Sequence, residues 1–201
     1  FIDNNPDTSN YVLFIDNIDY TSNHTFVDKL ENRIGWLTLA DTSGNGIVLY
    51  TGVIHELNSY NQDEIDSNFN NLIYSGALGN NPHEQFHWKL SGGYGIHGGN
   101  QGDFKAAVHV DLKDDELNNQ FNIDLGTEWR SPSLFQTAFS GNHYQWDNNF
   151  LNTQTDYLKF SYKVKKHLFN LSFIAAQVKN FIYNNELAMP DQSLNKLNVI
   201  N

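Results

Sequence analysis

Cysteine is absent from the 201 residues, which removes disulfide scaffolds, thiolate nucleophiles and cysteine-based zinc centres together. Positive charge is scarce: 12 Lys and Arg against 23 Asp and Glu leave a formal net charge of -11. Nucleic acid demands clustered Lys and Arg, so it is not expected as a partner. No run approaches 18 apolar residues, and the sequence therefore offers no transmembrane helix. It carries neither a phosphate loop nor a nucleophile elbow, so no cofactor and no catalytic residue are expected. No linker, low-complexity tract or helical repeat interrupts it, which predicts one domain over residues 1–201.

What the chain has instead is a two-residue period. Phe104, Ala106, Val108, Val110 and Leu112 alternate with Lys105, Ala107, His109, Asp111 and Lys113. After the acidic turn Lys113-Asp114-Asp115-Glu116, Leu117, Phe121, Ile123, Leu125, Thr127 and Trp129 oppose Asn118, Gln120, Asn122, Asp124, Glu128 and Arg130, with Asn119 out of step. Successive side chains of a strand leave opposite faces, so this is a predicted hairpin with one apolar and one hydrophilic surface. Segment 85–97 repeats it, setting Phe86, Trp88, Leu90, Tyr94 and Ile96 against Gln85, His87, Lys89, Ser91 and His97. Strands of soluble proteins average about five or six residues, whereas a tilted strand crossing a bilayer needs roughly 9 to 11. The runs here reach the longer figure. Aromatics form 14% of the chain and gather near strand ends, Phe104 and Trp129 among them, as an interfacial girdle requires.

The same reading predicts strands at 30–40, 47–57, 68–79, 85–97, 104–112, 117–129, 151–164, 168–183 and 194–200, with a tenth at 11–15. Short connections at 41–46, 80–84, 113–116 and 165–167 alternate with longer ones at 58–67, 98–103, 130–150 and 184–193, the plan of short periplasmic turns and long extracellular loops. The expected fold is therefore all-β: an antiparallel up-and-down meander forming a transmembrane β-barrel or part of one. The chain opens at Phe1 without a signal peptide and finishes at Val199-Ile200-Asn201 without a terminal aromatic, so a fragment of a larger barrel is expected.

Several loop motifs carry a likeness. Gly99-Asn100-Gln101-Gly102-Asp103-Phe104, then 141–150 (Gly-Asn-His-Tyr-Gln-Trp-Asp-Asn-Asn-Phe), Asn180-Phe181-Ile182-Tyr183 and Ala188-Met189-Pro190-Asp191-Gln192 follow one another in order. So arranged, the chain resembles the putative porin family of Bacteroidetes outer membranes, and Leu30-Glu31-Asn32-Arg33-Ile34-Gly35-Trp36 extends the likeness weakly toward the start. The resemblance implies an outer-membrane β-barrel of undefined substrate, and members of the family are longer than this chain.

If the apolar face meets lipid, Lys105, His109, Asp111, Asp124, Glu128, Arg130 and Lys159 face the lumen, where mixed charge sets solute preference. On the long loop, His143, Trp146, Asp147 and Asn148 are the candidate solute contacts, set against the plainer possibility that the loop's polar groups satisfy its own backbone. One motif argues for an enzyme. His83-Glu84-Gln85-Phe86-His87 fits the zinc-hydrolase pattern, but the flanking period of two separates residues four apart by roughly 13 Å, too far for one ion. The function expected is a porin or channel segment passing small solutes by passive diffusion in the bacterial outer membrane. Its partners would be outer-membrane lipid, small solutes and either other outer-membrane proteins or further copies of the chain. A soluble all-β glycan-binding module is the alternative, with the zinc hydrolase remote.

Overall fold

The computed structural model describes residues 2–3, 21–22, 24–38, 46–62, 65–114, 119–164 and 168–201. Along the chain these form β1 (Ile2–Asp3), β2 (Thr21–Ser22), β3 (Thr25–Leu37), β4 (Ile47–Gln62), β5 (Ile65–Asn80), β6 (Phe86–His97), β7 (Phe104–Asp114) and β8 (Asn119–Arg130). A short α1 (Leu134–Thr137) follows, then β9 (Ala138–Ser140), β10 (Gln145–Asp147), β11 (Thr153–Val164), β12 (Phe169–Lys179), β13 (Phe181–Asn184), β14 (Pro190–Ser193) and β15 (Leu197–Ile200). One nine-stranded sheet dominates, in the order β3-β4-β5-β6-β7-β8-β11-β12-β15, antiparallel throughout. The all-β meander follows from the alternating sequence. The sheet stays open among the described residues, with β3 and β15 at its edges.

Register shows why the two faces differ. Leu49, Leu78, Leu90, Val108, Leu125, Leu158, Ala175 and Ile200 stand directly opposite one another from strand to strand. A second row sets Ile34, Val53, Tyr74, Tyr94, Phe104 and Trp129 side by side, with the aromatics contiguous. A third row, near the other strand ends, joins Phe86, Leu112, Phe121, Tyr162 and Leu171. These rows share one face, and it is uncovered: Ile34 is 81% exposed, and Leu90, Phe104, Leu125 and Trp129 are all exposed. The buried side chains Glu56, Tyr60, Gln62, Asn71 and Asp111 belong to the opposite, hydrophilic face, and Tyr60 is the single buried hydrophobic residue among those described. Water-soluble folds bury their apolar face, and here the order is inverted.

The apolar area is a slanted band. On β3 and β4 it reaches Leu30 and Leu57, interrupted by Asn32 and His55, and beyond it the face turns to Asp28, Ser59 and Asn68. On β11 and β12 it stops at Leu158 and Ala175, and Asp156, Gln154, Gln177 and Lys179 follow. These polar residues bond to one another: Thr127 Oγ1 donates to Asp156 Oδ1 at 2.6 Å, and Lys179 Nζ to Gln154 Oε1 at 3.1 Å. Leu30 on β3 pairs with Leu57, eight residues along β4 from Leu49, and Leu49 is level with Leu158 on β11, which lies six strand steps from β3. Eight residues at about 3.3 Å over six steps at about 4.8 Å give a slope of roughly 40°.

Some expectations are corrected. Residues 58–67 are not a long loop, because β4 continues to Gln62 and β5 begins at Ile65. Segment 168–183 is not one strand: Asn180 adopts a left-handed φ of 54°, and β13 turns away to pair with β14. The strand predicted at 11–15, the turn at 165–167, residues 41–45 of the turn at 41–46 and residues 115–116 of the turn at 113–116 lie outside the described residues.

On the hydrophilic face two tyrosine rings lie flat over glycines. A Cβ at Gly126 would meet the Tyr157 ring at 2.5 Å, and one at Gly52 would meet the Tyr50 hydroxyl at 2.5 Å. Gly126→Val should therefore destabilise the folded protein by about 1–3 kcal/mol. Gly76→Ala, whose nearest neighbour would stand at 3.5 Å, should change it by under about 0.5 kcal/mol, both read as urea unfolding midpoints in detergent.

Candidate functional site

Register brings every expected lumen residue to the hydrophilic face. Lys105 stands opposite Glu128, His109 opposite Asp124, Asp124 opposite Lys159, and Arg130 opposite Thr153. Charges of opposite sign thus face each other across neighbouring strands, the favourable arrangement for cross-strand pairs. His109 Nδ1 and Asp124 Oδ1 are 2.7 Å apart, Lys113 Nζ reaches Asp111 Oδ2 at 3.2 Å, and Arg130 Nη2 reaches Glu128 Oε1 at 2.6 Å. Lys159 Nζ lies 5.1 Å from the Tyr157 ring centroid. Asn122 Nδ2 donates to Ser161 Oγ at 3.0 Å, continuing the network across β8 and β11. This surface is charged but locally balanced.

The long connection after β8 is folded. Ser133 starts α1, and its N–H and hydroxyl both donate to Gln136 Oε1, at 2.9 and 3.1 Å. The β9–β10 hairpin follows, with Phe139 stacked on Trp146 at 4.6 Å. Trp146 Nε1 donates to the Phe135 carbonyl, and Asn148 donates through its N–H to the Thr137 carbonyl and through Nδ2 to the Gln136 carbonyl. His143 is half-buried in the connecting turn and Asp147 exposed on β10. Trp146 and Asn148, read from sequence as solute contacts, thus serve the loop's own structure.

The loop lies over the hydrophilic face at the end where the strands run past the aromatic row. Phe135 meets Tyr60 edge to face at 5.1 Å, which is why a tyrosine projecting from the end of β4 is 1% exposed. Tyr60 Oη donates to Gln62 Oε1 at 2.5 Å. Beside them Asn71 Nδ2 donates to Glu56 Oε2 at 2.9 Å. An open cavity of about 620 Å³ separates the loop from β3, β4 and β5, and another of about 700 Å³ separates it from the ends of β8 and β11. Glu56, Asn58, Tyr60 and Asn71 line the first, yet Asn58 and Tyr60 lay in a supposed loop. The signal was present: Glu56, Asn58, Tyr60 and Gln62 continue the two-residue period of β4.

The His83-Glu84-Gln85-Phe86-His87 segment forms a turn entering β6 rather than a helix. Glu84 Oε2 accepts from Asn80 Nδ2 at 2.7 Å, and His87 Nδ1 lies 3.1 Å from Asn80 Oδ1. Among the described residues no group of three or more His, Cys, Asp and Glu is placed to hold a metal ion.

The profile of the putative porin family matches residues 1–201. The chain belongs to this family. No curated protein and no solved structure matches it. In this porin-family chain the loop motifs are where the connections are tied down. Gly98 and Gly102 take φ of 94° and 85°, and a Cβ on Gly98 would collide with the Asn70 carbonyl. Asp103 Oδ1 accepts from both the N–H and the hydroxyl of Ser131, at 2.7 and 2.6 Å, fixing the start of the long loop. Gln192 accepts from the Leu151 N–H and donates to the Leu151 and Asn180 carbonyls, fixing its end. Tyr183 donates to Asp191 Oδ2 at 3.1 Å, and that carboxylate pushes its phenol above the usual range.

Asp103→Ala should leave Ser131 without its acceptor and raise the rate of proteolytic cleavage within 131–152 about tenfold, the equivalent of one lost hydrogen bond. Circular dichroism of the sheet should be unchanged in the same samples.

Proposed function

We propose that this chain forms the wall of an outer-membrane channel through which small solutes pass passively, with its apolar face against lipid and its hydrophilic face toward water. The slanted band carries this reading. Strands of outer-membrane barrels lean about 35–45° from the membrane normal, so a belt parallel to the membrane crosses such a sheet obliquely. The band here slopes by roughly 40°. On β7 it runs from Phe104 to Leu112, nine residues inclusive, and at that lean it covers roughly 20 Å of depth, close to the 25 Å of a barrel's apolar belt. The Phe104 and Trp129 end of the aromatic row then sits at one interface, with the long loop after β8 beyond it.

A soluble glycan-binding module would have to cover this face with a second layer. Among the described residues none lies on it, and the family membership also favours the channel. Lys105, His109, Asp111, Asp124, Glu128, Arg130 and Lys159 become lumen residues on this reading, and their balanced charge suits a channel with weak ion preference. It assigns the chain no catalytic step.

Val108 sits midway along the band on β7, so Val108→Arg should cost about 2–4 kcal/mol of stability in lipid. Ser91→Arg, on the hydrophilic face of β6, should cost under about 1 kcal/mol. Vesicles reconstituted with the protein should leak small solutes and conduct ions. A monomer soluble without detergent, or vesicles that remain sealed, would overturn the channel reading.

A further inference from the structure

Three rows of side chains meet on the hydrophilic face beneath the long loop. Val27, Tyr60 and Ser67 are level with one another, as are Lys29, Asn58 and Phe69, and Glu31, Glu56 and Asn71. Above them stand Ser131, Ser133 and Phe135, with about 620 Å³ of open space between. That volume falls within the 300–1,000 Å³ of small-molecule sites. We infer that this vestibule is a binding site for an uncharged, hydroxyl-rich solute such as a short sugar, an inference that rests on the channel reading.

The charge of the patch closes on itself. Glu31 and Glu56 stand directly opposite each other, an unfavourable juxtaposition. Lys29 Nζ lies between them, 3.2 Å from Glu31 and 2.6 Å from Glu56, and Arg33 pairs with Glu31. Two cations and two carboxylates leave no net charge for an ionic ligand to neutralise. What the cavity offers instead is neutral hydrogen bonding beside aromatic surface. Asn58 Nδ2 is buried with no acceptor, and a buried donor left unpaired is costly unless something else occupies it. Ser67 supplies a hydroxyl that both donates and accepts, and the Ser131 and Ser133 hydroxyls, whose protons go to Asp103 and Gln136, supply acceptors. Phe69 and Phe135 supply ring surface on which the C–H face of a sugar packs. A ligand meeting this set needs acceptors, donors and an apolar face together, and no formal charge.

The test uses the full chain in two settings. In planar bilayers, maltotriose added on the loop side should block the conductance of the wild-type channel in a concentration-dependent way, while trigalacturonate should do so at least tenfold more weakly. Asn58→Ala and Phe69→Ala should each weaken the maltotriose block about tenfold. Asn61→Ala, on the opposite face of the same strand, should behave as wild type. Conductance without maltotriose block, or trigalacturonate blocking as well as maltotriose, overturns the sugar site and leaves the channel reading intact. Absence of conductance overturns the channel reading, and calorimetry of maltotriose binding to the detergent-solubilised protein then decides the site alone. Heat of binding that Asn58→Ala reduces supports the site, and no heat from wild type overturns it.

Discussion

A sheet that leaves contiguous rows of large apolar side chains exposed on one face needs an apolar medium on that face, and the other features of this protein are arranged around that need. The medium is either a second protein layer or hydrocarbon. Among the described residues nothing packs on the rows through Leu90 and Phe104, whereas the other face gathers a loop, a short helix and a hairpin. Its buried groups are two carboxylates, amides and a tyrosine, held by hydrogen bonds and, for the tyrosine, by the Phe135 ring. Among the described residues the stabilising burial of an ordinary core is thus absent, and on the channel reading lipid supplies it.

Much of this was legible in the sequence because a period of two is the least ambiguous pattern a chain can show. Val108 and His109 could hardly share a face in any strand, and register pairs each with residues of its own kind. The errors arose where hydrophobicity stopped while the strand did not. Asn58, Ser59 and Asn61 look like a loop because they contain nothing apolar, yet they continue β4 past the band, where both faces are polar. The break at Asn180 was hidden for the opposite reason: Phe181 and Tyr183 preserve the alternation across a residue whose backbone turns left-handed.

The loop shows a different limit. Trp146 and Asn148 have the chemistry of ligand contacts, and sequence alone does not reveal that the nearest partners are the loop's own carbonyls. Much of the lining of the open cavity comes from β4 and β5, distant in sequence from the loop that covers them. Only the cross-chain approach of Phe135 to Tyr60 assembles that space.

The order of the main sheet follows the order of the chain, with only the loop hairpins stepping aside. Each strand of the main sheet therefore pairs with its neighbour along the chain, and no two remote segments have to search for each other. Pairing in the main sheet is local in sequence, and the long-range search that slows many β folds is kept short.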